Sequence, residues 1–277
     1  MSTPLPVFSS SATDPRYAPV APWVWLLPLL VFLASTPLWM HWVEPALFVH
    51  INQWCAPLAA PVWTGLSLLG NGWGLLGVTA PLLVFAPRLT WAWLCAAPFA
   101  VAFARTGKFF IESPRPAAVV DNAQMRIVGE TLHNVSMPSG HTLTAFAVAS
   151  ALYFALPPQG RWRFAWLFVL AAGTGLSRIA VGAHWPGDVA VGMALGLLSG
   201  LLGHLLLQRV PPAWSQPTAW PLRVVAALTA FAGYTLITEA LDFEENQPLQ
   251  YVVAVVVLCA LAAFVVQNLR ALRARNA

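Results

Sequence analysis

Charged side chains are scarce in this sequence of 277 residues. Only 9% of the residues are Asp, Glu, Lys or Arg, whereas 58% are hydrophobic. Several apolar runs approach the roughly 20 residues that cross a bilayer, so this balance argues against a soluble domain and indicates a polytopic helical membrane protein. The net charge of +4 does not point to nucleic acid, because the arginines are scattered between apolar runs and form no basic face.

Cysteine is also rare, and its placement excludes the common metal sites. Cys55, Cys95 and Cys259 show no metal-ligand spacing, and the last two lie inside hydrophobic runs, so we assign all three to packing. No Cys/His or acidic cluster has convincing metal spacing either. The sequence therefore predicts a protein with no obligatory metal and no other cofactor.

Eight apolar runs are predicted to be membrane-spanning helices, which makes the fold class all-α, a polytopic transmembrane bundle. These spans cover approximately residues 22–42, 66–86, 90–110, 138–156, 166–181, 186–207, 222–241 and 251–269. The predicted domains are a disordered cytoplasmic tail (1–21), a six-span core (22–209), a linker (210–221) and two additional helices with a basic cytoplasmic end (222–277). The tail lacks the basic region and cleavage site of a secretory signal.

The arginines between the spans predict the orientation of the chain. With the amino terminus inside, the loops that carry them fall in the cytoplasm, as positively charged loops of membrane proteins do. The acidic turn with Asp242, Glu244 and Glu245 then lies outside, where we interpret it as a solvated loop rather than a metal site. This topology predicts an inner-membrane protein whose functional groups face the periplasm.

Three polar clusters interrupt the apolar runs, and all of them fall on the outer side. Ionisable groups beside membrane-spanning segments are costly, so such groups are usually functional. The clusters end the third span, begin the fourth and join the fifth to the sixth. They contribute eight candidate site residues: Lys108, Arg115, Ser139, Gly140, His141, Arg178, His184 and Asp188.

The three cations among these residues indicate an anionic ligand. One arginine satisfies a carboxylate, whereas a phosphoryl group presents several charged oxygens that Lys108, Arg115 and Arg178 would stabilise together. Ser139 and Gly140 begin the fourth span, and the free N–H groups of a helix start suit phosphate oxygens. The pattern therefore predicts a phosphate-binding site.

Two histidines match the two proton-transfer roles that phosphate cleavage needs. Asp188 follows His184 by four residues, and Pro186 suits a helix start, so the carboxylate can turn back onto the imidazole and select its tautomer. We hypothesise that His184 attacks phosphorus to form a phosphohistidine. His141 would protonate the departing group and then activate water.

The three clusters resemble the signature of the type 2 phosphatidate phosphatase superfamily. They read Lys-x6-Arg-Pro at 108–116, Pro-Ser-Gly-His at 138–141 and Ser-Arg-x5-His-x3-Asp at 177–188. The resemblance covers the first six spans and implies a six-helix core and metal-independent dephosphorylation of lipid phosphates or pyrophosphates. It implies that His184 is the nucleophile, Asp188 its partner and His141 the acid, with the other five candidates around the phosphate. The last two spans depart from that core, and partner contacts and substrate selection both remain open for them.

Several substrates and functions are compatible with these motifs. The resemblance implies that the chain lies among membrane lipids and acts on a phosphorylated lipid. Candidate substrates are undecaprenyl pyrophosphate, phosphatidylglycerophosphate and phosphatidate. A lipid A phosphatase and a lipid-to-lipid phosphotransferase would use the same site. The many spans argue against a vanadium haloperoxidase, and the complete set of catalytic residue types argues against a non-enzymatic channel, transporter or scaffold. The sequence does not determine the oligomeric state.

Overall fold

The computed structural model describes residues 20–41 and 43–276, so residues 1–19 of the predicted tail lie outside the described part of the chain. Within the described ranges every regular element is helical, which confirms the all-α prediction. The α-helices in chain order are α1 (Leu27–Ala34), α2 (Thr36–Met40), α3 (Pro45–Trp54), α4 (Ala60–Leu68), α5 (Gly72–Val78), α6 (Leu82–Phe85), α7 (Pro87–Phe110), α8 (Gly140–Ala155), α9 (Trp166–Ala180), α10 (Pro186–Leu207), α11 (Trp220–Thr238) and α12 (Gln247–Asn276).

The region predicted as one span over 66–86 is instead a series of short helices. Helix α4 ends at Leu68, and a turn at 69–71 precedes α5. Asn71 caps α5 because its Oδ1 accepts hydrogen bonds from the N–H groups of Trp73 and Gly74. A Cβ on Gly70 would lie 2.6 Å from the Cβ of His141. The turn therefore sits against a candidate catalytic histidine, a position that only a residue without a side chain can take.

The core of the bundle is formed by α7, α8 and α10, and the contacts of α10 with the other two are the most extensive between helices in the described part of the chain. Helix α10 approaches α8 closely through its glycines. A Cβ on Gly192 would lie 2.8 Å from the Ser139 carbonyl oxygen, and one on Gly196 would lie 2.6 Å from that of Leu143. This repeated step of small residues lets the two backbones meet. As a result, the start of α8 is held beside the start of α10.

The last two helices pack against each other and against α5, and α12 also contacts α6. In the described part of the chain, three helical segments are long and apolar enough to cross a membrane: Pro186–Leu207, Trp220–Thr238 and Glu244–Ala274. Two shorter apolar helices, Pro22–Ala34 and Gly140–Ala155, accompany them. The chain is thus a multi-pass membrane protein, while the number of eight spans stays a prediction.

Candidate active site

The turn after α9 positions the backbone of His184. The carbonyl oxygen of Arg178 accepts hydrogen bonds from the N–H groups of Ala183 (2.9 Å) and His184 (3.1 Å). This closure requires the left-handed backbone of Gly182, whose φ is 81°. A Cβ at Gly182 would also lie 2.9 Å from the carbonyl oxygen of Arg126. The helix end therefore carries Arg178 and His184 into one small region.

Asp188 lies in the first turn of α10 and is completely buried. Its Oδ2 accepts hydrogen bonds from the backbone N–H of Trp185 (2.9 Å), from Ser136 Oγ (2.5 Å) and from Nδ1 of His184 (3.1 Å). The structure thus brings Asp188 and His184 together as their spacing predicts. Sequence reasoning missed Ser136, although it stands two residues before the Pro-Ser-Gly-His cluster.

The contact between Arg115 and His184 determines which ring nitrogen carries the proton. Arg115 Nη1 lies 3.0 Å from Nε2 of His184, and a guanidinium group only donates hydrogen bonds. Nε2 must therefore accept this hydrogen bond with its lone pair, which leaves the ring proton on Nδ1. The Nδ1–H group then donates a hydrogen bond to Asp188. Burial, followed by the charges of Arg115, Arg178 and Lys108, lowers the pKa of His184 well below its ordinary value. A ring that accepts at Nε2 and donates from Nδ1 is a neutral imidazole.

Arg115 is held in place by several acceptors of its own. Its Nε donates to Asn134 Oδ1 (3.0 Å), and its Nη1 donates to the Ala183 carbonyl oxygen (2.6 Å) as well as to His184. Burial lowers the pKa of Arg115, and the charge of Asp188 opposes that change. The side chain therefore presents a fixed positive charge beside Nε2 of His184.

Arg178 supplies a second buried cation with an unused donor. The side chain is 4% exposed, its Nη1 donates to Ser67 Oγ (3.0 Å), and its guanidinium lies 5.5 Å from the ring centre of Phe243. Its buried Nε has no hydrogen-bond partner among the described residues. Since buried donors are normally paired, this one is available to an anion. Lys108, in the last turn of α7, adds a third positive charge near His184.

The start of α8 provides backbone donors, and Ser139 caps this helix. Its hydroxyl caps the helix by accepting hydrogen bonds from the N–H (3.4 Å) and Oγ1 (2.9 Å) of Thr142. Its own N–H donates to the Asp188 carbonyl oxygen (3.1 Å). The first N–H groups of a helix have no intrahelical partner, and a Cβ on Gly140 would meet no described atom within 4 Å. The N–H of Gly140 is therefore a candidate donor for a ligand, at a residue whose Cα borders open space.

His141 has a carboxylate partner that the sequence did not suggest. Its Nε2 lies 3.0 Å from Oδ2 of Asp242, which also accepts a hydrogen bond from Asn71 Nδ2 (2.7 Å). Burial tends to raise the pKa of Asp242. The hydrogen bond and charge of His141, the hydrogen bond from Asn71 and the charge of Arg178 outweigh burial, so that this pKa lies well below its ordinary value. Asp242 is exposed, as a residue of a solvated loop would be, but its contact with His141 makes it part of the candidate site.

A cavity of about 530 Å³ opens beside these groups. Its lining includes Arg178 and Ala183 from the α9–α10 connection, Glu130 from the long 111–137 loop, and Asp242 and Phe243 from the α11–α12 connection. Among the described residues, no three His, Cys, Asp or Glu side chains are grouped so that they could hold a metal ion. The arrangement combines an oriented imidazole with fixed cations and free backbone donors.

Comparisons with known proteins agree with this chemistry. Residues 89–211 match the sequence profile of the PAP2 superfamily. A lipid A 1-phosphatase of Porphyromonas gingivalis is 30% identical over 118 residues, which cover 39% of this chain and only 26% of that protein. A decaprenylphosphoryl-5-phosphoribose phosphatase of Mycobacterium tuberculosis is 32% identical over 146 residues, or 50% of this chain and 75% of that protein. The crystal structure of Aquifex aeolicus LpxE matches with a TM-score of 0.50 at 30% identity, over 57% of this chain and 92% of that one.

Proposed function

Because the chain belongs to the PAP2 superfamily, we propose that it is an integral membrane phosphatase that removes phosphate from a lipid through a phosphohistidine intermediate. The observation that carries the proposal is the orientation of His184. Its Nε2 lone pair points at Arg115 Nη1 (3.0 Å), while its Nδ1 proton is bound by Asp188 (3.1 Å). A neutral imidazole aimed into a cluster of cations is suited to attack an anionic phosphoryl group.

In the first step, the phosphate of the substrate binds between Arg115, Arg178 and Lys108, with the N–H of Gly140 as a further donor. Nε2 of His184 attacks phosphorus, and the bond from phosphorus to the leaving oxygen breaks. His141 gives that oxygen its proton, so that the product leaves as a neutral alcohol or as a phosphate. Asp188 stabilises the positive charge that develops on the His184 ring.

In the second step, water hydrolyses the phosphohistidine. The neutral His141 takes a proton from the water as its oxygen attacks phosphorus, and the bond between phosphorus and Nε2 breaks. Inorganic phosphate forms, and both histidines return to their starting protonation states. No metal is required by these steps, because the cations neutralise the charge on the transferring phosphoryl group.

The proposed substrate is a lipid whose phosphate reaches the periplasmic face of a bacterial inner membrane. The placement rests on the predicted distribution of arginines, with residues 22–209 as the catalytic core and 222–277 as an added helical hairpin. The names of the two relatives support a phosphorylated lipid, since one is a lipid A phosphatase and the other acts on a decaprenylphosphoryl sugar phosphate. Undecaprenyl pyrophosphate, phosphatidylglycerophosphate and phosphatidate are further candidates.

A panel of lipids tests the proposal. Purified protein is expected to release inorganic phosphate from at least one of lipid A, undecaprenyl pyrophosphate, phosphatidylglycerophosphate, phosphatidate and a decaprenylphosphoryl sugar phosphate. The rate should be unchanged in excess chelator. Folded protein that releases none from any of them contradicts a hydrolase, and transfer of phosphate to an added lipid would then identify a phosphotransferase. Loss of the rate in chelator, restored by one metal, contradicts the metal-independent mechanism.

Gly140→Ala should weaken substrate binding without lowering the stability of the fold. The added methyl group meets no described atom within 4 Å, and alanine favours a helix by up to about 1 kcal/mol over glycine, so the melting temperature should hold or rise. The methyl group would displace a phosphate oxygen from the N–H of Gly140, so KM should rise roughly 10- to 100-fold, the cost of a hydrogen bond to a charged group. Phosphate release and thermal unfolding measure the two effects.

Gly72→Ala is the matched control for this experiment. Gly72 also begins a helix after a capping side chain, and a Cβ there would likewise meet nothing within 4 Å. Its KM should stay within about twofold of the wild-type value. An unchanged KM in Gly140→Ala would contradict the proposed position of the phosphate.

A further inference from the structure

The α11–α12 connection, residues 239–246, brings an acidic side chain to His141. We propose that Asp242 is a positioning residue for this histidine, so that the additional carboxy-terminal hairpin completes the catalytic site with a second His–Asp pair. The inference rests on the proposed function, in which His141 is the proton donor. It concerns two residues, Asn71 and Asp242, that lie outside the segment 89–211 that matches the family profile.

The 239–246 loop is held by buried hydrogen bonds and is not a loosely solvated turn. Gln250 is completely buried; its Oε1 accepts from the N–H of Leu241 (3.1 Å), and its Nε2 donates to the carbonyl oxygens of Leu236 (3.1 Å) and Glu239 (2.6 Å). Asn246, also buried, donates through Nδ2 to the carbonyl oxygen of Thr64 in α4 (2.8 Å). The first half of the loop is therefore fixed within the hairpin, and its end is fixed to α4.

The backbone at Asp242 is shaped to turn its carboxylate toward the site. Its φ is 55°, which is uncommon for a residue other than glycine and is best tolerated by Asp and Asn. The N–H of Phe243 bonds to the carbonyl oxygen of Leu241 (2.6 Å) and closes a three-residue turn around it. Phe243 is buried against Val128, Ala180 and other apolar side chains. The buried ring on one side and Gln250 on the other hold this unusual turn in place.

Asn71 orients the carboxylate from the opposite side. Its Oδ1 already accepts the two N–H groups at the start of α5, so its Nδ2 must be the group that faces Asp242. Nδ2 donates to Asp242 Oδ2 (2.7 Å), the same oxygen that contacts His141. The position of Asp242 is thus set by α5 as well as by its own loop.

The resulting pair resembles the arrangement at His184. There, Asp188 binds one ring nitrogen and leaves the other to face the phosphate. At the second pair, Asp242 binds Nε2 of His141, and Nδ1 has no hydrogen bond within the described ranges of the chain. A carboxylate in this place orients the ring and stabilises its protonated form. The carboxylate thereby keeps His141, the general acid, protonated up to a higher pH.

The positive charges around His141 explain why a carboxylate beside the ring would favour its protonated form. The positive charges of Arg178 from α9 and Lys108 from α7 act on this ring, and the neutral His184 lies beside them. A cation close to an imidazole disfavours its protonated form. Asp242 is the acidic group in hydrogen-bonding contact with the ring, and it can offset them.

Asp242→Asn tests the inference with little risk to the fold, because asparagine has the same shape and also tolerates a positive φ. The alkaline limb of the pH profile of kcat/KM should move to lower pH by about one unit, the effect of losing one partly exposed counter-charge. Phosphate release at pH 8 should fall about tenfold. In Asp242→Glu, which keeps the charge, the alkaline limb should lie close to its wild-type pH. Glu245→Gln removes an equal charge from the same loop and should leave the limb unchanged.

An assay that does not depend on turnover separates this inference from the proposed function. In protein labelled with ¹⁵N-histidine, with the His141 signal assigned through a His141→Gln variant, the titration midpoint of His141 should fall by about one pH unit in Asp242→Asn. An unchanged midpoint overturns the inference whether or not the protein hydrolyses lipids. A wild-type protein that releases no phosphate overturns the proposed function, while the titration still decides the pairing.

One further result would identify a different role for Asp242. If the carboxylate competes with phosphate for Arg178, then Asp242→Asn should lower KM and strengthen inhibition by inorganic phosphate, with the alkaline limb unmoved. That outcome overturns the inference. A lower titration midpoint with an unmoved limb also overturns it, because Asp242 would then pair with His141 without influencing the acid step.

Discussion

Replacing His184 with alanine is expected to reduce phosphate release at least about 1,000-fold, because the proposed reaction has no path without its nucleophile. No other histidine in the described part of the chain has a ring nitrogen facing Arg115 while a buried carboxylate binds the other. The measurement is single-turnover phosphate release from the preferred lipid. A rate within tenfold of wild type would contradict covalent catalysis by His184.

The intermediate provides a second readout for the same variant. When wild-type protein reacts with a ³²P-labelled lipid and is quenched in base, it should retain acid-labile label, which is the behaviour of a phosphorus–nitrogen bond. His184→Ala should retain none. His50→Ala is the control, because His50 is an exposed histidine on α3, and both its label and its rate should match wild type. Label that persists in His184→Ala would assign the nucleophile to another residue.

Asp188→Asn is expected to have the second largest effect, a loss of about 100- to 10,000-fold in kcat. The Oδ2 atom of Asp188 accepts from the Trp185 N–H, Ser136 Oγ and His184 Nδ1. An amide oxygen can accept from these donors, but it lacks the charge of the carboxylate, and the NH₂ group can turn toward them instead. The His184 proton would then be held less firmly on Nδ1, and the positive charge that develops on the ring during attack would lose its stabilising partner. The kinetics of phosphate release measure the loss.

Ser136→Ala provides the graded comparison for Asp188. It removes one of the three donors and leaves the carboxylate and its contact with His184 intact, so its rate should fall about tenfold or less. Both variants should be checked by thermal unfolding, because Asp188 also bonds to the backbone N–H that begins α10. Equal losses in the two variants would show that the hydrogen-bond network, rather than the charge of Asp188, governs the rate.

The parts of the site that could be predicted are those whose partners are close in sequence. Asp188 and His184 are four residues apart at a helix start, and this spacing alone determines their contact. Helix ends could also be predicted, because turn chemistry acts locally. The structure adds a helix cap to the functions of Ser139, because its hydroxyl accepts from Thr142 and serine is well suited to this position. Its part in phosphate binding stays a prediction.

The segment 66–86 shows why hydropathy alone did not predict every helix correctly. The run over 66–86 has the composition of a membrane span, yet it is divided into α4, α5 and α6. Hydropathy reports how apolar a segment is, but it does not report whether neighbouring helices cover its backbone. Here α11 and α12 pack against α5 and α12 packs against α6, so a broken helix is sheltered by its neighbours.

The sequence by itself determined the helical class, the membrane setting, the three polar clusters of the proposed phosphate site and the His184–Asp188 pair, because composition and short-range spacing control them. Only the tertiary structure decided that Asp242 joins His141, since this contact spans 101 residues and depends on how a carboxy-terminal hairpin packs against the core. An acidic residue in a turn is normally solvated, and its sequence neighbours do not distinguish it from Glu244 or Glu245. Its proposed role rests on Asn71, Gln250 and Phe243, which hold the turn where a second carboxylate can reach the site.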